Sequence, residues 1–177
     1  MNGLPLKVGQ MVSFIAEGLP DEAQQALAAL QADAAPMAPT LAASVIESEL
    51  GASPERVFAS WEDMPVAAAS IGQVHRARDG AGRELAVKVQ FPGVAEAIEE
   101  DLDAAEVMYA VFSALALNGL DARALVDELR VRMREELDYR REAANIAEFA
   151  GRFAGHPWVR IPTLAPELST SKVLTTE

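Results

Sequence analysis

Cysteine is absent from the 177 residues, aromatic residues make up only 6%, and lysine occurs at just three positions, Lys7, Lys88 and Lys172. Without cysteine there is no disulfide scaffold, no thiolate zinc site and no cysteine nucleophile. Positive charge is short as well: 15 Lys plus Arg stand against 27 Asp plus Glu, a net charge of −12. A nucleic acid or an anionic membrane would be repelled by most of such an exterior. Long apolar runs are also lacking. The stretch from Val107 to Leu120 is free of charge but contains Ser113, Asn118 and Gly119. A membrane-spanning helix needs roughly 20 apolar residues, so this stretch reads as a buried helix. The N-terminus has no basic start, apolar run and small-residue cleavage site in succession, so no secretory signal is read there. No nucleophile-elbow, zincin or EF-hand spacing occurs, and His75 and His156 lie apart from any cluster of acids, so no metal site is expected. The expectation is a soluble, cytoplasmic chain with a real core.

What is present divides by periodicity. Apolar spacing predicts helices over residues 6–17 and 21–32, a proline-bearing linker over 34–39, and a helix from Thr40 to Leu50 stopped by Gly51. Ser53-Pro54 opens a short helix with proline in the first helical position. At Pro65 the period changes. Residues 66–70, 73–78 and 84–90 are short, alternating or β-branched, and Asp79-Gly80-Ala81-Gly82 is a hairpin signal, so three antiparallel strands are expected. Two long helices follow, over 94–117 and 122–149, broken at Asn118-Gly119 and restarted by Asp121. Residues 158–161 and 172–176 read as two further strands. Helices, strands, long helices and strands in that order give an α+β fold. Residues 1–62 form a helical extension and residues 63–177 a second, sheet-bearing unit.

The chemistry is concentrated between Pro65 and Val94. The run Ala67-Ala68-Ala69-Ser70 reads as a tight turn of very small residues. A strand with a single lysine, Ala86-Val87-Lys88-Val89, comes one hairpin later. Small side chains let backbone N–H groups approach phosphate oxygens, and a lysine supplies point charge where phosphates carry theirs. Tight packing explains the alanines equally well, and an edge strand with its lysine in water explains Lys88. Likewise, Arg134, Glu135, Glu136, Asp138, Arg140, Arg141 and Glu142 fit a solvated charged helix face. Pattern alone leaves these alternatives open.

Four segments together resemble the UbiB/AarF (ADCK-type) family of atypical kinases. Lys7-Val8-Gly9-Gln10 is similar to its K-x-G-Q signature, and Ala67 to Ser70 running into Ile71-Gly72-Gln73-Val74-His75 to its alanine-rich loop. Residues 85–93 resemble its nucleotide-lysine strand. Glu136-Leu137-Asp138-Tyr139 with Arg141-Glu142-Ala143-Ala144-Asn145 resembles its E-x-D helix. The resemblance implies a protein-kinase-like N-lobe, a small antiparallel sheet with long helices, preceded by the helical extension carrying K-x-G-Q. Lys88 would hold nucleotide phosphates and Glu142 would be its ion-pair partner in a buried site. Ala67, Ala68, Ala69 and Ser70 would form the phosphate-facing loop. Lys7, Gly9 and Gln10 would lie on a helix folded over the cleft, with Glu136 and Asp138 facing it as regulatory groups.

The resemblance further implies ATP or ADP with Mg2+ as cofactor and a role in isoprenoid-quinone (ubiquinone) biosynthesis. Partners would be lipid or quinone precursors and membrane-associated biosynthetic proteins, with the full-length protein peripheral to the membrane. The sequence stops at a strand that would enter the interlobe hinge. No catalytic-loop aspartate or magnesium-binding motif follows, so the metal ligands are expected in a C-lobe beyond Glu177. The expectation is an N-terminal, nucleotide-facing half of a kinase or ATPase, inactive alone and able to self-associate through the uncovered lobe face. The alternative is a non-enzymatic interaction module derived from that family.

Overall fold

The structure, a computed structural model, describes residues 36–69, 71–114 and 122–177. The expected helices over 6–17 and 21–32 and the break at 118–121 lie outside these residues. Helix α1 spans Pro39–Leu50, preceded by Ala38 rather than capped by Thr40, because Pro39 takes the first helical position, where it needs no hydrogen-bond partner. Gly51 ends it at φ 80°, donating its N–H to the Glu47 carbonyl. The short α2 (Pro54–Val57) also begins on a proline, as the sequence implies. Five strands follow: β1 (Ser60–Trp61), β2 (Ala67–Ala69), β3 (Gly72–Arg78), β4 (Glu84–Gln90) and, near the end of the chain, β5 (Val173–Thr176). Between β4 and β5 come α3 (Val94–Ala114), α4 (Ala122–Leu137) and α5 (Tyr139–Arg152).

All pairings are antiparallel, in the order β1-β3-β4-β5, with β2 sharing the edge of β3 that β1 occupies. The β3–β4 hairpin forms where the glycines predict it. Asp79 Oδ1 accepts the N–H groups of Ala81 and Arg83, both at 2.9 Å, and Gly82 adopts φ 82°. The fold is α+β, a small antiparallel sheet flanked by helices.

Three expectations are corrected. Ala67–Ala69 is strand, as expected over 66–70, and not the tight turn read from its small residues: Ala67, Ala68 and Ala69 pair with Val74, Gln73 and Gly72. The single helix expected over 122–149 is split at Asp138, whose backbone is extended (φ −110°, ψ 98°) and whose Oδ1 accepts the N–H of Arg140 at 3.1 Å. Both ends of the break are held by the sheet region: Gln90 Nε2 donates to the Leu137 carbonyl, and the Tyr139 N–H donates to the Ser171 carbonyl, each at 2.9 Å. Residues 158–161 form no strand. They lie between Pro157 and Pro162, which donate no backbone hydrogen bond, and the free edge of β5 is instead met by Leu164, bridged to Thr176.

The two sheet faces are unlike. One carries Ala77, Leu85, Val87, Val89 and Val173, which pack with Met37, Ala42, Val45, Ile46 and Phe58 into a sealed core. It also holds a buried polar chain. The Met37 N–H donates to Gln73 Oε1 at 2.9 Å, Gln73 Nε2 lies 2.8 Å from His75 Nε2, and His75 Nδ1 lies 2.9 Å from the Glu62 carbonyl. A carbonyl can only accept, so His75 carries its proton on Nδ1 and accepts from Gln73 through Nε2. Burial lowers the pKa of His75, against the opposing pull of the Glu62 carbonyl and Asp63. On the other face, Ile71, Tyr139 and Leu174 pack against Val94, Ile98, Leu102 and Met133 of the long helices. On the remainder of that face Ala67, Arg76 and Ala86 are exposed.

Candidate functional site

Strand alternation fixes what the open face presents. Lys88 pairs with Val74 on one side and Leu174 on the other, and Val74 pairs with Ala67. Directly paired residues share a face, so Ala67, Val74, Lys88 and Leu174 form one row across the sheet. The next rows place Ala69, Gly72 and Gln90 on one side and Arg76, Ala86 and Thr176 on the other. Lys88 therefore rises from a floor of small side chains, with Ala67 and Ala86 exposed beside it. Further out on this face is a concavity of about 630 Å3 lined by Ser60, Glu62, Arg76, Arg78 and Glu84, with Arg78 paired to Glu84.

Lys88 Nζ donates to Glu142 Oε2 at 2.6 Å. Glu142 sits in the first turn of α5, a turn that Asp138 caps and that the Tyr139 N–H ties to Ser171. The pair is not sealed: the Lys88 side chain is 24% exposed and that of Glu142 45%. The buried pair implied by the resemblance is thus corrected to one wet on its carboxylate side. Solvent screening there lowers its contribution to stability and leaves the ammonium within reach of a ligand.

Tyr139 completes the site, and the sequence reading did not single it out. Its ring is 1% exposed, and the Lys88 ammonium stands 4.5 Å from its centroid. The Tyr139 hydroxyl is buried, and among the described residues it has no hydrogen-bond partner. Burial above all, and then the charge of Glu142, push its pKa far upward, so it stays a neutral phenol. It lies 2.8 Å from where a Cβ on Gly72 would be, and that Cβ would also collide with the Val89 carbonyl. Gly72 is therefore required by close approach. The signal for Tyr139 was its place three residues before Glu142, but that spacing is informative only once the helix is known to start after Asp138.

Of the other expected site residues, Ala67, Ala68 and Ala69 lie on β2, with Ala67 and Ala69 on the Lys88 face and Ala68 on the opposite one. Glu136 is exposed on the last turn of α4, and Asp138 is the α5 cap rather than a neighbour of Glu142 along one helix. Lys7, Gly9, Gln10 and Ser70 lie outside the described residues. A nucleotide polyphosphate fits the site's chemistry, with one ammonium on an open floor of small side chains. Among the described residues no cluster of His, Asp and Glu suits a metal ion, and no helix is long and apolar enough to cross a membrane.

The ABC1 atypical kinase-like domain matches residues 29–177. The atypical kinase COQ8, mitochondrial, of Saccharomyces cerevisiae is 36% identical over 176 residues, covering 99% of this chain and 35% of the yeast protein. The probable protein kinase UbiB of Pseudomonas paraeruginosa is 34% identical over 174 residues, covering 97% of this chain and 33% of that protein. Among solved structures, Rv3197 from Mycobacterium tuberculosis, in complex with erythromycin, superposes with a TM-score of 0.69 at 40% identity, covering 96% of this chain and 43% of that one. The chain thus spans 35% and 33% of the two curated relatives it is compared with.

Proposed function

The chain belongs to the ABC1 atypical kinase-like family, and on that premise we propose that it forms the nucleotide-facing half of an ATP-dependent kinase or ATPase of the UbiB type. The observation that carries this reading is the 2.6 Å contact of Lys88 with Glu142 on an otherwise open face of small side chains. A solvated ammonium held by one carboxylate can exchange part of that contact for phosphate oxygens, while Ala67, Val74 and Ala86 leave room for a flat base. When bound, ATP with Mg2+ would supply the phosphoryl group, and ADP would be the product left on the same residues. Lys88 orients its phosphates, Glu142 holds Lys88 in place, and Asp138 holds the turn that carries Glu142. Lys7, Gly9, Gln10 and Glu136 are assigned to regulation of access to this cleft, and Ser70 to the phosphate-facing hairpin. The biological role assigned is isoprenoid-quinone biosynthesis, with lipid or quinone precursors and membrane-associated proteins as partners.

Titration of the chain with Mg-ATP and Mg-ADP, followed by two-dimensional NMR to millimolar ligand, tests the reading. Resonances of β2, β3 and residue 88 should move in the wild type, and those of β2 and β3 should stay still in Lys88→Ala. Equal shifts in both proteins, or none in either, would overturn it.

A further inference from the structure

The carboxylate of Glu142 and the phosphates of a nucleotide would compete for the same ammonium, so an ion pair alone cannot both hold Lys88 and release it to a ligand. The first turn of α5 offers a second hold. Tyr139 and Glu142 are three residues apart on one side of that turn, and both reach Lys88, one with a ring face 4.5 Å from Nζ and the other with an oxygen at 2.6 Å. An aromatic face attracts a cation through its quadrupole without carrying a net charge, so it repels an arriving phosphate far less than a carboxylate does.

We propose that Tyr139 is a positioning residue for Lys88: its buried ring keeps the ammonium parked on the open face while the contact with Glu142 is shared with a ligand. The ring, not the hydroxyl, is the working part, because the ammonium stands 4.5 Å from the ring centroid while the hydroxyl is wedged beside Gly72, with no partner among the described residues. The geometry of the grip stands apart from the nucleotide reading, and only its consequence for phosphate binding rests on that reading.

The chain's lysine content supplies the test. Lys88 can be acylated with an N-hydroxysuccinimide ester and its labelling read by mass spectrometry against exposed Lys172 in the same molecule. Tyr139→Phe should label as the wild type does, whereas Tyr139→Leu should raise the Lys88-to-Lys172 ratio about threefold. Tyr139→Met serves if the leucine variant does not fold by circular dichroism. The same substitution in a Glu142→Gln background separates direct from indirect action. If the ring itself holds the ammonium, labelling rises again on top of the Glu142→Gln increase. If Tyr139 only packs the turn that carries Glu142, it adds nothing, and that outcome overturns the proposal, as does an unchanged ratio in Tyr139→Leu. No nucleotide enters this measurement, so a rise in labelling without any Mg-ATP binding would defeat the functional reading and leave the grip intact.

Discussion

The two faces of one small sheet are made from the same strands yet built to opposite rules. On the face toward α1, Val87, Val89 and Val173 are fully buried, and even the polar Gln73 and His75 are sealed and bonded to each other. On the face carrying Lys88, Ala67, Arg76 and Ala86 are exposed, and among the described residues cover comes at one end, from Tyr139 and the long helices. Apolar burial supplies stability on the first face, at about 25 cal/mol per Å2. The second gives up much of that burial and holds a charge where a ligand could meet it. The difference assigns stability to one face and chemistry to the other, and substitutions on each should separate the two properties.

Ile46, fully buried on the sheet-facing side of α1, gives the largest effect. Ile46→Ala should lower the free energy of unfolding by about 3 kcal/mol in urea denaturation, through lost burial and the cavity left behind. It should leave the Lys88 labelling ratio of the folded protein unchanged. Gly72→Ala acts on the open face by overpacking, since its Cβ meets both the Val89 carbonyl and the Tyr139 hydroxyl. It should cost about 1–3 kcal/mol and also disturb Lys88 labelling, because the obstacle includes the ring that Lys88 rests on. A Gly72→Ala protein as stable as the wild type would mean that the hairpin is not held as described.

The sealed face should also be the source of a pH dependence. Burial depresses the His75 pKa in the folded state, so the unfolded chain binds a proton first as pH falls. Stability from this group is full above the unfolded value, about 6.5, and is lost as pH falls toward the lower folded value, with a slope of at most about 1.4 kcal/mol per pH unit. Melting curves of wild type and His75→Phe between pH 8 and pH 5 should therefore converge on acidification; parallel curves would contradict the buried neutral imidazole. The smallest effect belongs to the surface. Arg132 bonds Glu128 with both side chains 59% exposed, and Arg132→Ala should change stability by less than about 0.5 kcal/mol.

Much of this architecture was legible in the sequence. The β3–β4 hairpin follows from Asp79, Gly80 and Gly82, α2 from Ser53-Pro54, and the Lys88–Glu142 contact from the motif order that the family resemblance supplied. What was not legible depended on tertiary partners. Asp138 sits in a run with good helical periodicity, and only the pull of Ser171 on Tyr139 and of Gln90 on Leu137 shows why the helix restarts there. β1 is two residues long and exists because Arg78 and Ala77 offer it an edge. The wetness of the ion pair was equally hidden, since it depends on where packing against β5 and α4 places the first turn of α5.

The separation of stability from chemistry is tested most directly at Glu142. Its half-exposed carboxylate should contribute little to folding, so Glu142→Gln should lower the unfolding free energy by no more than about 1 kcal/mol. The same variant should lose at least about tenfold in its preference for Mg-ATP over adenosine, because the ammonium then keeps only the ring of Tyr139 and loses the charged partner that aims it. A Glu142→Gln protein that keeps the full preference for ATP, or that fails to fold, would contradict the account.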